Sequence, residues 1–117
     1  MNNNQVFCFK KKSRLLTFQD FHHAFRNSHK KNTSLAIVLT VINKLYYPRL
    51  GIIVSKKISR YSYKRNLIKR IIRESFRLIK TYLLNLDFVI IAKISCLKVC
   101  RKKFRDFLNI LWMKYYQ

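Results

Sequence analysis

Hydrophobic and polar positions change period several times along this chain. Thr17 precedes Phe18, Phe21, His22 and Phe25, spaced i, i+3, i+4, i+7 as on one face of a short helix. Thr17 suits its N-cap, and Asp20 in the first turn complements the helix dipole. Asn27 to Thr33 is polar and reads as a loop. Leu35 to Ile42 is β-branched and apolar and predicts a strand. Asn43 to Pro48 reads as a turn and Leu50 to Ser55 as a second strand, the two strands forming an antiparallel hairpin. Gly51 marks a place where another backbone can approach closely. Tyr61 to about Leu84 has helical period, and Asp87 to Ile94 is a third strand of Phe, Val and Ile. Arg101 to Tyr116 puts Phe104, Phe107, Leu108, Leu111 and Tyr115 on one face of a closing helix, with Trp112, Tyr115 and Tyr116 as its packing residues. The expected order is α-β-β-α-β-α, a small sheet covered by helices in an α+β domain. Phe18 belongs to its core. Phe21 and Phe25, four apart on the first helix, fit either core or the wall of a cleft.

The chain has 117 residues, of which 50% are hydrophobic and 15% aromatic. That suits one domain with its own core and argues against disorder. With a single Gly and a single Pro, no linker or repeat is visible. Residues 1–12 end in Lys10-Lys11-Lys12 and read as a basic arm, with the domain from 13 to 117. The opening residues Met1 to Gln5 are polar and lack the apolar core of a secretory signal. No apolar run approaches the roughly 20 residues of a spanning helix. Cys8, Cys96 and Cys100 are odd in number and form no CxxC pair, which predicts reduced thiols in a cytoplasmic protein. A zinc site would have to recruit His22 or His29, and no ligand spacing supports one.

Charge changes the picture most. Lys and Arg number 26 against 4 Asp and Glu, a net charge of +22. Self-repulsion at that charge destabilises the compact state, and a polyanionic partner relieves it. The cations concentrate between Lys56 and Arg77, at Lys56, Lys57, Arg60, Lys64, Arg65, Lys69, Arg70, Arg73 and Arg77, with Glu74 as the single acid. At about 100° per residue, Asn66, Lys69, Arg70, Arg73, Arg77 and Lys80 fall within an arc of roughly 100°. Ile68, Ile71, Ile72, Ser75, Leu78 and Ile79 fall opposite. A merely solvated helix mixes signs to gain i,i+4 pairs. Here Lys69, Arg73 and Arg77 stack like charges, which points to phosphate binding. Charge alone leaves DNA and RNA open. Zinc-finger spacing, a basic zipper and the aromatic signature of RNA-recognition motifs are all missing.

The segment Arg49-Leu50-Gly51-Ile52-Ile53-Val54-Ser55-Lys56-Lys57, followed by Lys64-Arg65-Asn66-Leu67-Ile68-Lys69-Arg70-Ile71-Ile72-Arg73-Glu74-Ser75-Phe76-Arg77, closely resembles the protein subunit of bacterial ribonuclease P. Arg14-Leu15 before Phe21 and Phe25, and Asp87-Phe88-Val89-Ile90-Ile91-Ala92-Lys93, agree in order. The resemblance spans about residues 13 to 115. One departure is Leu67, which stands where the family usually has the second arginine of its Arg-Asn-Arg motif. One RNA contact is lost there or taken up by Lys64.

The resemblance implies a left-handed βαβ crossover, against the usual hand. It implies an endoribonuclease subunit that supports removal of the 5′ leader of precursor tRNA. The catalyst would be the RNA subunit with its Mg²⁺, and the protein would supply no catalytic residue and no metal ligand. It further implies that the helix with Arg65, Asn66, Lys69, Arg70 and Arg73 faces the catalytic RNA. Phe21 and Phe25, with Lys56 and Lys57 nearby, would line a cleft for the single-stranded leader. Two other classes share the charge. A ribosomal protein would not need this motif order. A membrane-active cationic protein would turn an apolar face to lipid, whereas the isoleucine face here is needed for the core.

Overall fold

The computed structural model describes Arg14 and residues 18–117. The basic arm, the Thr17 cap and Leu15 lie outside the described residues, as does the side chain of Phe18. The elements are α1 (Phe18–Asn27), β1 (His29–Asn32), β2 (Ala36–Ile42), β3 (Arg49–Ile53), α2 (Ser62–Ile79), β4 (Leu86–Ala92) and α3 (Arg101–Met113). Short 3-10 turns follow α2 at Lys80–Tyr82 and β4 at Ile94–Lys98. This is the expected α+β arrangement with one strand added at an edge.

The sheet runs in the order β1-β2-β4-β3. β2 pairs antiparallel with both β1 and β4, and β3 pairs parallel with β4. The expected hairpin between β2 and β3 therefore does not form; β4 lies between them. The cause is visible in β4 itself. Phe88, Val89 and Ile90 are fully buried, so the strand needs a neighbour on each side. Asp87 then sits opposite Arg49 in the parallel register, and their ion pair holds that choice.

β1, His-Lys-Lys-Asn, is exposed along its whole length. It has no apolar residue to announce it, and its charges suit an edge that must resist pairing with other chains. A tight turn ties it to β2. The Thr33 amide donates to the Ala36 carbonyl at 2.9 Å, and the Thr33 hydroxyl bonds Ala36 as well. On the opposite edge, the chain at Arg14 bridges in parallel to Leu50, next to Gly51, where a close backbone approach was expected.

Strand alternation splits the core in two. Ala36, Val38, Leu50, Phe88 and Ile90 face α2 and α3 in the main cluster. Leu39, Val41 and Val89 face α1 through Ala24 in a smaller one. Trp112 of α3 is fully buried and stacks edge-on against Phe76 and Phe88 at 5.6 and 5.4 Å. Its indole Nε1 donates to the Ser75 hydroxyl at 3.0 Å, which in turn donates to the Ile72 carbonyl at 2.8 Å. No buried polar side-chain atom is left unpartnered among the described residues.

α2 ends at Ile79, earlier than its period suggests. Beyond it Leu83 is fully buried in extended backbone, and the chain end docks there. The Gln117 amide donates to the Tyr82 carbonyl at 2.8 Å, and the Gln117 side chain to that of Leu83 at 2.7 Å. Cys96 is buried and Cys100 exposed, both as free thiols. Burial pushes the Cys96 thiol pKa above its usual range.

Candidate nucleic-acid interface

Two surfaces carry the residues singled out from sequence, and they lie on opposite faces of the sheet. The first is α2. Ile68, Ile71, Ile72, Ser75 and Phe76 are buried, so Asn66, Lys69, Arg70 and Arg73 are turned away from the core. Leu78, expected on the apolar side, is instead half exposed. It lies at the edge of that side, against a groove shared with α3. Leu67 packs half-buried against the core, as its place on the helical wheel requires.

Several cations at and just before α2 are held by backbone carbonyls and by the Tyr61 ring. The Arg73 Nε donates to the Lys69 carbonyl at 3.4 Å, and the Arg65 Nη1 to the Ser59 carbonyl at 2.7 Å. Arg60 lies over the Tyr61 ring at 4.9 Å and donates to its hydroxyl at 2.8 Å. Lys64 stands 5.5 Å from the same ring. Arg77 alone on the stripe meets a carboxylate, Glu74, at 3.0 Å. Lys56 and Lys57 occupy the exposed turn that joins β3 to α2.

Two of the four acids, Asp20 and Asp87, are engaged away from this surface. Asp87 is only 2% exposed. Its carboxylate accepts from Arg49 Nε at 2.8 Å, Arg49 Nη2 at 2.6 Å and Asn43 Nδ2 at 2.9 Å. Asp20 of α1 approaches the same guanidinium at 3.6 Å. These contacts push the Arg49 pKa above its already high ordinary value, the Asp87 hydrogen bond foremost. Asn43 also donates to the Tyr47 carbonyl at 3.1 Å and accepts from the Leu45 amide at 2.9 Å. One knot thus fastens α1, the 43–49 turn, β3 and β4. Sequence reasoning read Asp20 only as a dipole partner and gave Asp87 no role; nothing local signals a pair 38 residues apart.

The second surface is the α1 face of the sheet. Ile37, Ile91 and Ile53 stand directly opposite one another across β2, β4 and β3. All three are only partly buried, and with Phe21 they pack against the small cluster around Ala24. Phe25 is 51% exposed, which rules out a pure core role for it. The result is an apolar floor with an aromatic wall. Lys56 and Lys57 follow Ile53, at the end of β3, by three and four residues. Phe21 is thus set on the α1 face of the sheet, while Lys56 and Lys57 lie in the turn that leads from β3 to α2.

Hydrolytic metal chemistry needs convergent carboxylates or imidazoles. Among the described residues no three His, Cys, Asp or Glu side chains come together in a way that could hold a metal ion. Asp20 and Asp87 converge, but on a guanidinium. No described helix is long and apolar enough to cross a membrane.

Known proteins match this chain over nearly its whole length. The family model described as Ribonuclease P matches residues 9–116. The ribonuclease P protein component of Buchnera aphidicola subsp. Schizaphis graminum is 43% identical over 107 residues, covering 92% of this chain and 94% of that protein. That of Vibrio cholerae is 36% identical over 109 residues, covering 93% and 92%. Among solved structures, the Staphylococcus aureus RNase P protein superimposes with a TM-score of 0.83 at 30% identity, covering 90% of this chain and 98% of that one. The Thermotoga maritima RNase P protein gives 0.76 at 28% identity, covering 89% and 98%.

Proposed function

The chain belongs to the ribonuclease P protein family, and from that membership we propose that it binds the catalytic RNA of the enzyme through α2 and the 5′ leader of precursor tRNA through the α1 cleft. As a ribonuclease P protein component it is a subunit of an endoribonuclease, with an RNA partner. The observation that carries the finer reading is the division of the sheet. One face bears a cation stripe with a single acid, Glu74, paired with Arg77, while Asp20 and Asp87 are engaged at Arg49. The other bears a partly buried isoleucine row packed with Phe21, and Phe25 stands exposed one turn further along α1.

On the α2 side, Lys64, Arg65, Asn66, Lys69, Arg70, Arg73 and Arg77 meet the catalytic RNA, together with Arg60. Their role is electrostatic: each phosphate neutralised releases counterions, which makes assembly tight and salt-dependent. On the α1 side, Phe21 and Phe25 offer rings on which leader bases stack, at about 1–3 kcal/mol per base. Stacking tolerates every base, which suits leaders of varied sequence. Lys56 and Lys57 hold the leader backbone. The RNA subunit, with the Mg²⁺ it carries, supplies the hydrolytic chemistry. The protein screens repulsion between two polyanions so that they meet at low Mg²⁺, in the cytoplasm where precursor tRNA is processed.

Reconstitution tests this. The full chain alone should leave precursor tRNA intact. Added to its own organism's ribonuclease P RNA at low Mg²⁺, it should raise the rate of leader removal. Replacing Lys69, Arg70 and Arg73 together by alanine should weaken assembly and flatten its salt dependence, by about 0.7–0.9 in log–log slope per lost phosphate contact. Metal-dependent leader removal by the RNA-free protein would overturn the assignment of roles.

A further inference from the structure

The stripe on α2 does not end at the helix. Along its edge, α2 and α3 enclose an open groove of about 460 Å³, lined among others by Arg70, Glu74, Arg101, Arg105 and Asn109, with Leu67 on its apolar side. Arg70 comes from α2, and Arg101 and Arg105 from one face of α3, a helical turn apart. Glu74 is the single acid of the lining, and its carboxylate is bonded to Arg77 at 3.0 Å. Among the described residues no carboxylate pairs with Arg70, Arg101 or Arg105. Asp106, the acid of α3, is not part of the lining.

A groove bordered by three guanidiniums repels itself in the free protein. Packing does not explain them either, since all three are exposed. The core contacts of α3 are made by Phe104, Leu108, Leu111 and Trp112. Planar guanidiniums that converge on a groove suit phosphate oxygens, which they can bind in pairs of parallel hydrogen bonds. Asn109 adds an amide that can serve a sugar hydroxyl or a base edge.

We infer that the α2–α3 groove is a second phosphate-binding surface, in which Arg101 and Arg105, with Arg70, hold the backbone of the same RNA that covers α2. This rests on the assignment of α2 to the catalytic RNA. Arg70 belongs to both surfaces, so one polyanion that reaches it continues into the groove. The leader cleft is on the α1 face of the sheet, which excludes the leader as occupant. The groove also accounts for Leu67. Leu67, half-buried against the core beside the stripe, lines the groove, and the cations of α3 that line it too supply the charge that position lacks.

The test is equilibrium binding of the full-length protein to its catalytic RNA over a salt series. The variants are Arg101→Ala/Arg105→Ala, its charge-retaining counterpart Arg101→Lys/Arg105→Lys, and Lys69→Ala/Arg73→Ala. The groove double-alanine variant should bind about tenfold more weakly at low salt and lose about 1.4–1.8 from the log–log slope, as expected for two phosphate contacts. The lysine variant should keep the slope. Melting temperatures should equal or exceed the wild type's, because these side chains are exposed and repel one another. Wild-type affinity and slope in the groove variant, with a weakened Lys69→Ala/Arg73→Ala variant, would overturn the groove while leaving α2 as the RNA surface. Wild-type binding by both would remove the α2 assignment and the groove with it. A groove variant that binds catalytic RNA normally, yet loses holoenzyme affinity for precursor tRNA, would also overturn the choice of RNA.

Discussion

Replacing Asp87 by asparagine keeps the shape of the side chain and removes only its charge. The carboxylate is 2% exposed and accepts three hydrogen bonds, two from Arg49 and one from Asn43. Losing one partner of a buried ion pair costs about 3–5 kcal/mol, chiefly because the other charge is left unpaired. Arg49 is less extreme than that limit. Its side chain is 20% exposed and keeps Asp20 at 3.6 Å. A loss of about 2–3 kcal/mol follows. For a domain of this size, that lowers the melting temperature by about 10 °C. Thermal unfolding followed by far-ultraviolet circular dichroism measures it. A drop below about 2 °C would show that the pair contributes little to stability. A second variant separates charge from packing. Arg49→Met/Asp87→Leu removes both charges of the buried pair, and Asp20, 27% exposed, stays solvated; it should recover at least half of the lost stability. If the double variant melts no higher than Asp87→Asn, the loss comes from strand packing instead of the unpaired guanidinium.

Phe25→Ala should lower stability by about 1 kcal/mol, well short of the 3–5 kcal/mol of a buried phenylalanine, since half of Phe25 is already exposed. In the holoenzyme it should weaken binding of precursor tRNA and leave mature tRNA unaffected; equal losses on both would remove Phe25 from the leader cleft. Cysteine alkylation with peptide mapping should modify Cys100 promptly and Cys96 only on unfolding, because burial both shields the Cys96 thiol and raises its pKa. Early modification of Cys96 in the native protein would show that the 94–98 turn opens readily.

The elements legible in the sequence are those whose pattern reports their own burial. Ile68, Ile71 and Ile72 of α2, Phe104, Leu108, Leu111 and Trp112 of α3 and the run Phe88 to Ile90 all turned up buried. What escaped is what depends on distant partners. β1 is four polar residues, a strand only because Thr33 turns the chain back onto β2. The pairing of β3 with β4 is decided by a parallel crossover through α2, which periodicity does not encode. Phe21 and Phe25 share one helical spacing, yet one is half-buried beside Ala24 and the other half exposed. The cation stripe was legible because a helix wheel needs no tertiary information. The α2–α3 groove was not, since it requires knowing that Arg101 and Arg105 border the same side of α2 as Leu67.

With so few acids, their placement decides how the domain can carry a charge of +22. Asp87 and Asp20 meet at Arg49, where three strands' worth of chain and α1 must be held in one register. Glu74 is tied to Arg77 at the edge of the stripe. The other cations of the stripe meet carbonyls and a ring but no carboxylate, so no opposite charge must be displaced before a phosphate can bind. That arrangement costs stability in the free protein, most at low ionic strength, where screening is weak. The same repulsion becomes binding energy once RNA is present. The stability of this fold and its affinity for RNA are thus linked through one charge distribution. Adding acids near α2 would steady the free protein and weaken its complex together.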